Sequence, residues 1–464
     1  MSRTYRGAIS FSSNYEEVKD DPDYVYYNGD IINNGSQSSA TAVDNPDPAV
    51  RFTETRDAPI ISDCSKYNFS IVRFSLNGPN LDLPICIPQI RTGANNPTNN
   101  VNLTVYDVGL SVSVTYTVGP NTFSNTFNQT TPLIWTPQIL DTTVAPVPPP
   151  STIASQSQDL STRYYWAMTV SHMVNLFNAT YQTCWNALNA QFGVWYVAQF
   201  GGVAPNLTTQ PPRLTFNPTT NLFNIWADRY GFGDNQIAIV SPAVPQRTSA
   251  GSSADENFSM FMDANSFGLF ANFNHQYLNQ PNSFTYKILI QNPATIYNNI
   301  YNLASPPAPS AKSYWIMTQD CPSTSTLWCP CSSIVFTSGT LPLVFEATGE
   351  PVRFGTGNLG ATGGGTSASF APIITDIQLT NTGAYDYRQF IQYVPSAEYR
   401  MASFQKSAIP ITQIDIQVYW KNRLDGKLYP LQMYNLSSVS IKIMFRRRGI
   451  ADFPHPARKD PMNF

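Results

Sequence analysis

Three cysteines in the second half of the chain are the first candidates for metal or redox chemistry. Cys321, Cys329 and Cys331 form a Cys-x₇-Cys-x-Cys pattern around Trp328. Structural zinc sites prefer spacings such as Cys-x₂₋₄-Cys and often add histidine, and no histidine lies near this cluster in the sequence. The spacing therefore favours structural free thiols, with a disulfide or a metal site as the alternatives, and we expect neither a metal nor a cofactor.

A glycine-rich stretch matches the pattern of a dinucleotide-binding loop. Gly355, Gly357 and Gly360 give Gly-x-Gly-x-x-Gly. Such a loop binds phosphate where it joins a strand to the N-terminus of a helix. The segment that follows, Ala-Thr-Gly-Gly-Gly-Thr, is a poor helix former. We therefore interpret the stretch as a flexible loop without a nucleotide.

Residues for acid–base or nucleophilic catalysis are sparse. The histidines are His172, His275 and His455, and neither Gly-x-Ser-x-Gly nor His-Glu-x-x-His occurs. A glycosidase needs two carboxylates about 5–10 Å apart in a cleft. Asp415 and Asp425 are close in sequence, but the first belongs to a regular strand pattern and the second begins an Asp-Gly turn. We predict that the protein is not an enzyme, and a β-sandwich glycosidase is the weakest alternative.

A basic cluster near the C-terminus supplies the candidate contact residues. Six residues are candidates for a subunit contact or for the inner surface of an assembly: Arg446, Arg447, Arg448, Phe453, Arg458 and Lys459. Cations at this place could contact nucleic acid or an anionic membrane, or could act as gatekeepers that keep an edge strand from mispairing. The net charge of −3 provides no excess of cations for bulk neutralisation of nucleic acid. A gatekeeper or a subunit contact is therefore favoured.

The composition indicates a surface suited to extensive protein contacts. Apolar residues make up 42% of the chain and charged residues 12%, which is about half the usual charged fraction. Burying Asn or Thr costs less than burying Lys or Glu, so such a surface can be covered by other proteins. We expect no secretory signal and no transmembrane helix, because no long apolar run is present. The six cysteines are consistent with reduced thiols.

The elements that must position these residues are mostly strands. Residues 414–420 and 439–445 alternate apolar and polar side chains with the period of two that a half-buried strand requires. The longest alternation runs from Val108 to Val118, and Gly-Pro-Asn then turns the chain back, which predicts a long antiparallel hairpin. One helical pattern covers 163–192, where apolar residues recur every three or four positions.

These patterns predict a mainly β fold of two jelly-roll-like antiparallel β-sandwiches, with one long inserted helix and extended terminal arms. The N-terminal arm is expected at 1–60 and the first sandwich, which contains the helix, at 61–240. The second sandwich is expected at 255–450 and the C-terminal arm at 451–464. Proline-rich and glycine-rich segments separate the strands, and no clear sequence repeat links the two halves.

The sequence resembles jelly-roll capsid proteins of small icosahedral DNA viruses. Low charge, many Asn, Thr, Pro and aromatic residues, and the stretches 69–80, 414–420 and 439–445 carry the resemblance. This family has a double form, in which one chain supplies two sandwiches and three chains make a pseudo-hexagonal capsomer. It also has a single form, used for pentons at five-fold vertices. The length and the two strand-rich halves look like the double form.

The resemblance implies a structural protein of the virion that self-assembles into an icosahedral shell after synthesis in the host cytoplasm or nucleus. Its partners would be itself, as a homotrimer or larger assembly, and other capsid proteins, with weak contact to the viral genome or an inner membrane. No small-molecule substrate is implied. The alternative is a receptor- or glycan-binding β-sandwich of a spike, fibre or penton, which would expose Trp and Tyr for stacking on sugars.

Overall fold

The structure is a computed structural model. It describes residues 22–33, 49–78, 83–91, 102–138, 165–228, 232, 252–278, 284–290, 302–304, 314–322, 328, 330–348, 353–354, 361–362, 369–378, 390–393, 401–433 and 436–449, with gaps at 119, 205, 208–209 and 425.

Strands dominate the residues that the structure describes. They are β1 (Tyr24–Asn33), β2 (Arg51–Thr55), β3 (Tyr67–Asn77), β4 (Leu103–Val118), β5 (Asn121–Ile134), β6 (Arg213–Asn217), β7 (Leu222–Asp228), β8 (Ser252–Met262), β9 (His275–Tyr277), β10 (Tyr286–Ile288), β11 (Asn302–Ala304), β12 (Tyr314–Thr318), β13 (Cys331–Thr337), β14 (Glu346–Thr348), β15 (Arg353–Phe354), β16 (Ala361–Thr362), β17 (Ser369–Ala371), β18 (Ile373–Ile377), β19 (Phe390–Tyr393), β20 (Ala402–Ser403), β21 (Gln413–Asn422), β22 (Leu428–Pro430) and β23 (Ser437–Arg447). The helices are α1 (Val170–Phe200) and α2 (Ala264–Leu269), with a 3₁₀ turn at Cys64–Lys66.

The chain forms two compact units, and the second is inserted in the sequence of the first. Unit 1 comprises 1–82, 332–422 and 426–464, and unit 2 comprises 83–331 and 423–425. The predicted sandwiches at 61–240 and 255–450 differ from this partition. The boundaries of the units are set by strands that pair across long stretches of sequence, such as β3 with β23 and β4 with β8. Local composition carries no signal for such pairs.

Unit 1 has the strand order of one jelly roll. One sheet reads β1–β23–β3–β19, and the other reads β18–β13–β21–β2. When these eight strands are numbered along the chain, the sheets read 1-8-3-6 and 5-4-7-2. This is the order in which two Greek keys wrap into a jelly roll. The short strands β20 and β22 pair with β3 and β21.

The two units are nested along the chain and not consecutive. Two consecutive jelly rolls would complete one sandwich before the next begins, whereas unit 2 separates the third and fourth strands of unit 1. The predicted N-terminal arm at 1–60 also differs, since β1 and β2 are strands of the two sheets. The mainly β class, with antiparallel sheets and one long helix, is confirmed.

Alternating side chains build the core of unit 1. The inward residues of β21 and β23 are all buried: Ile414, Ile416, Val418, Trp420, Val439, Ile441, Ile443 and Phe445. Phe74 of β3 meets Phe336 of β13 edge to face, with 4.9 Å between ring centroids, and this contact joins the two sheets. Burying each such side chain contributes about 1.5–3 kcal/mol. β21 and β23 lie in different sheets, because the jelly roll passes from one sheet to the other between them.

Unit 2 packs the long helix on a five-stranded sheet. Its sheets read β5–β4–β8–β10–β9 and β11–β12–β7–β6. β4 and β5 form the predicted long hairpin, with Val118 opposite Asn121 at its tip. α1 lies against β4, β5 and β6, and buries Phe177, Tyr181 and Leu188 in the core of the unit.

α1 begins later than the predicted range of 163–192. Thr169 is its N-cap, and its hydroxyl oxygen accepts a hydrogen bond from the backbone N–H of His172 at 3.3 Å. Such a cap satisfies one of the backbone donors that a helix N-terminus leaves without a partner. This short-range interaction places the start of the helix.

α1 also ends later than predicted, and Gly193, the residue directly after the predicted range, lies within the helix. The last residue is Phe200, and Gly201 with φ 69° terminates it. A glycine inside a helix costs about 1 kcal/mol. Contacts of Phe192 and Phe200 with Tyr116, at 6.0 and 5.6 Å between ring centroids, outweigh that cost. No helix in the described ranges is long and apolar enough to span a membrane.

Candidate assembly surface

β1 is an edge strand of its sheet within the described residues, and the basic cluster ends the strand beside it. Tyr24 of β1 pairs with Arg446 and Tyr26 pairs with Met444. Tyr24 and Tyr26 are exposed, and their rings stack at 6.3 Å with an interplanar angle of 9°. The ammonium of Lys442 lies 4.9 Å from the centroid of the Tyr26 ring, a cation–π contact. This edge therefore presents aromatic rings and cations together.

Arg447 and Arg448 are held by different kinds of partner. The Arg447 guanidinium lies 3.7 Å from the Asp23 carboxylate, and both side chains are substantially exposed, so the ion pair contributes less than about 1 kcal/mol. Arg448 donates from Nη2 to the carbonyl oxygen of Phe404 at 2.9 Å and from Nε to that of Tyr67 at 3.3 Å. Arg448 thus ties the end of β23 to its own unit, whereas Arg447 remains accessible to a partner.

The structure brings half of the predicted contact residues together. Arg446 is buried within β23, and the two arginines that follow it stand at the end of the same strand. Phe453, Arg458 and Lys459 lie outside the described residues. Contact of these six residues with another subunit stays a prediction.

Asp415, the carboxylate considered for a glycosidase, is the centre of a hydrogen-bond network on β21. Its Oδ1 accepts from Arg51 Nε at 2.8 Å and from Thr53 Oγ1 at 3.0 Å, and its Oδ2 accepts from Gln417 Nε2 at 3.0 Å. Burial of this carboxyl acts to raise its pKa, but the hydrogen bonds from Arg51, Thr53 and Gln417 and the charge of Arg51 outweigh burial, so the pKa is lowered. The network holds the carboxylate ionised and fixed, which supports the sheet. Asp425 lies outside the described residues.

The other chemical candidates do not form a site within the described residues. Cys321 is an exposed free thiol and Cys331 a buried one, while Cys329 lies outside the description. No cluster of three or more His, Cys, Asp or Glu that could hold a metal occurs in the described part. Gly355 to Gly360 lie outside it as well, between the paired strands β15 and β16.

The histidines of the described chain are packed against aromatic rings. His172 meets Trp135 edge to face at 4.8 Å, and burial lowers its pKa. His275 lies 4.4 Å from Phe267 between ring centroids. His455 lies outside the described residues. These contacts agree with packed or surface imidazoles.

Sequence reasoning missed the partners that hold these groups. Arg51 meets Asp415 across 364 positions of sequence, and a single chain carries no local signal for that pair. The pairing of Tyr24 with Arg446 likewise follows from the jelly-roll order and not from a local pattern.

Comparison with known proteins identifies the kind of protein that has this fold and this surface. The family model described as Sputnik minor capsid protein V18/19 matches residues 25–447. The chain belongs to this family. It is therefore a viral structural protein of the capsid, and its place is the virion.

Individual relatives of this capsid protein come from virophages. The uncharacterized protein V18 of Sputnik virophage is 29% identical over 189 residues, which are 40% of this chain and 95% of that protein. A chain in the 3.5 Å cryo-EM structure of the Sputnik virophage matches with a TM-score of 0.66 and 22% identity, over 92% of this chain and 98% of that one, which shows a shared fold. The crystal structure of the mavirus penton protein matches with a TM-score of 0.49 and 11% identity, over 91% and 99%.

Proposed function

We propose that this capsid protein is a single jelly-roll subunit and that five copies form a ring at the five-fold vertices of the shell. The observation that supports this proposal is the strand order of unit 1, in which one chain supplies one complete jelly roll. In the class of capsid proteins that the sequence resembles, the double form makes pseudo-hexagonal trimers and the single form makes pentons. The nested unit 2 would then be an insertion specific to this subunit.

A ring of identical copies needs two different surfaces on each copy, because its contacts are heterologous. The edge of β1, where Tyr24 and Tyr26 are exposed beside Lys442 and Arg447 of β23, has the properties of one such surface. Aromatic residues and arginine are enriched at the centres of protein interfaces. The same surface could contact other capsid proteins. Contact of Arg447 with the genome or a membrane is the weaker proposal. A role of this kind requires no catalytic group, which supports the expectation that the protein is not an enzyme.

The mass of the purified protein in solution tests this proposal. Size-exclusion chromatography with light scattering should give five times the 51.5 kDa chain mass, about 258 kDa. Negative-stain images of that peak should average to five-fold rings. A mass near 155 kDa, three times the chain mass, would support the trimer of the double form instead. A monomer at every concentration would contradict both assemblies.

A second candidate function, glycan binding, is favoured by an aromatic edge in unit 2. β9 is the last strand of its sheet in the described part of the chain, and its exposed Tyr277 lies opposite Tyr286 of β10. Tyr286 stacks on Phe267 of α2 at 4.3 Å with an interplanar angle of 7°, and His275 braces Phe267 from the side. Rings that are already braced lose little freedom on binding, and their apolar faces suit stacking of a sugar ring.

Glycan binding is tested on an array with the assembled wild-type protein and Tyr277→Ala. Loss of a glycan signal in Tyr277→Ala, with an unchanged assembly mass, would support it. The control is Gln276→Ala, because Gln276 points to the opposite face of the same strand and should bind as wild type does. A wild-type protein that binds no glycan contradicts this second function.

A further inference from the structure

Two large apolar side chains are exposed where β1 ends and β23 begins. Ile32 is 72% exposed and Leu436 is 76% exposed. Ile32 pairs with Ser438, two positions after Leu436, and the N–H of Leu436 donates to the carbonyl oxygen of Asn33 at 2.7 Å. The two residues are therefore diagonal neighbours at one end of the sheet edge. We name them the apolar corner.

The backbone of Leu436 makes this exposure unusual. Its φ is 68°, in the left-handed region that a side chain with a Cβ atom disfavours. Among the described non-glycine residues, the others with positive φ are Asn221 and Asn272, and asparagine is a residue that tolerates this conformation. A leucine that is neither buried nor suited to its backbone does not serve the folding of an isolated chain. Strain of this kind is retained where function requires it.

Hydrogen bonds hold the apolar corner in place. The side-chain amide of Asn33 donates to the carbonyl oxygen of Met433 at 3.1 Å, and its own carbonyl oxygen accepts from Leu436. Met433 is itself buried in unit 1. The corner is thus fixed on both sides before any partner arrives, which reduces the ordering cost of binding.

We propose that the apolar corner is a contact with a second copy of this chain in the capsid. The family is one of capsid proteins, so copies meet at defined surfaces. Asn33, Ser437 and Ser438 flank the corner without charge, so the corner brings no charge that would repel the facing surface of a second copy. β1 is the last strand of its sheet in the described residues, and its outer edge can align with another copy. The inference rests on the proposed ring for its geometry, but not on the number of copies.

The test is the double variant Ile32→Thr with Leu436→Asn, compared with wild type by light scattering over a concentration series. Threonine keeps the β-branch that suits β1, and asparagine suits the positive φ, so the melting temperature should equal or exceed that of wild type. The dissociation constant of the assembly should rise by about tenfold or more, the scale seen when apolar anchors of an interface are truncated.

The matched control is Val203→Thr, which removes an exposed apolar side chain from unit 2 and should assemble as wild type does. A double variant that melts lower and assembles normally overturns the inference in favour of a purely structural role. Normal self-assembly with lost binding to another capsid protein overturns the choice of partner. If the wild type forms an assembly with a number of copies other than five and the double variant forms that assembly more weakly, the inference is supported and the pentamer is contradicted. A monomeric wild type overturns both.

Discussion

Replacing Asp415 with asparagine removes the negative charge at the centre of a buried network on β21. The carboxylate is 1% exposed, and three donors from Arg51, Thr53 and Gln417 surround its two oxygens. Asparagine has the same shape but one acceptor atom. In one orientation its amide nitrogen would face the amide nitrogen of Gln417, and in the other it would face the donors of Arg51 and Thr53. In both orientations a hydrogen-bond donor lies against another donor.

The size of the effect follows from that mismatch. A buried donor without an acceptor costs about 1–3 kcal/mol, so Asp415→Asn should destabilise unit 1 by about 2 kcal/mol at pH 7. The lowered pKa sets the pH dependence. The contribution of Asp415 is fully present above its ordinary value of 3.8 and is lost as the pH falls through the lower pKa of the folded state. The difference in the free energy of unfolding between wild type and variant should therefore become smaller at acid pH.

Urea unfolding followed by tryptophan fluorescence at pH 7 and at about pH 3 measures both effects. Asp57→Asn is the control, because Asp57 is an exposed aspartate shortly after β2, and its replacement should change stability by less than about 0.5 kcal/mol. The reasoning is refuted if Asp415→Asn unfolds like wild type at pH 7. It is also refuted if that difference is equally large at both pH values.

Three further substitutions test local packing and capping. Gly29→Ala should destabilise unit 1 by about 1–3 kcal/mol in thermal unfolding, because its Cβ would lie 2.6 Å from the Phe52 ring. Thr169→Ala should remove the α1 cap and cost about 1 kcal/mol, measured by circular dichroism on heating. Arg448→Ala should lower stability in urea by about 1–2 kcal/mol through lost carbonyl hydrogen bonds, whereas Arg447→Ala should change it by less than about 0.5 kcal/mol.

Each of these substitutions has a matched control. Gly268→Ala places a Cβ with no atom within 4 Å and lies in a helix, so it should not destabilise. Thr183→Ala is an exposed mid-helix change in α1 that should not lower stability. If Gly29→Ala melts with wild type, the close approach of β1 to Phe52 is contradicted. Equal losses from Thr169→Ala and Thr183→Ala would contradict the cap.

Strands were the part of the fold that could be predicted from the sequence, because their apolar and polar residues alternate. Residues 414–420 and 439–445 were correctly assigned as strands with one buried face, and the hairpin of β4 and β5 was also correct. Side-chain period depends on local backbone geometry, so it can be read without a partner. The helix was found for the same reason, but its ends were not. Its start depends on the Thr169 cap, and its end depends on aromatic packing that carries it past Gly193.

The basic cluster shows how much of the candidate site could be predicted from the local sequence. Its place at the end of a strand pattern is visible in the sequence, but β23 extends further than the pattern, so Arg446 and Arg447 are its last two residues and Arg448 follows it. The sequence could not distinguish Arg448, which donates to two carbonyl oxygens of its own unit, from Arg447, which stays accessible. The two arginines differ because the tertiary structure brings the carbonyl oxygens of Tyr67 and Phe404 to the guanidinium of Arg448.

The residues by themselves determined the class of this protein: strand-rich, weakly charged and suited to extensive protein contacts. Tertiary structure decided that β21 and β23 enter different sheets, that unit 2 interrupts one jelly roll, and that Arg51 reaches Asp415. Strand pairing uses backbone hydrogen bonds that almost any residues can make, so the choice among partners is settled by how all the strands close around one core.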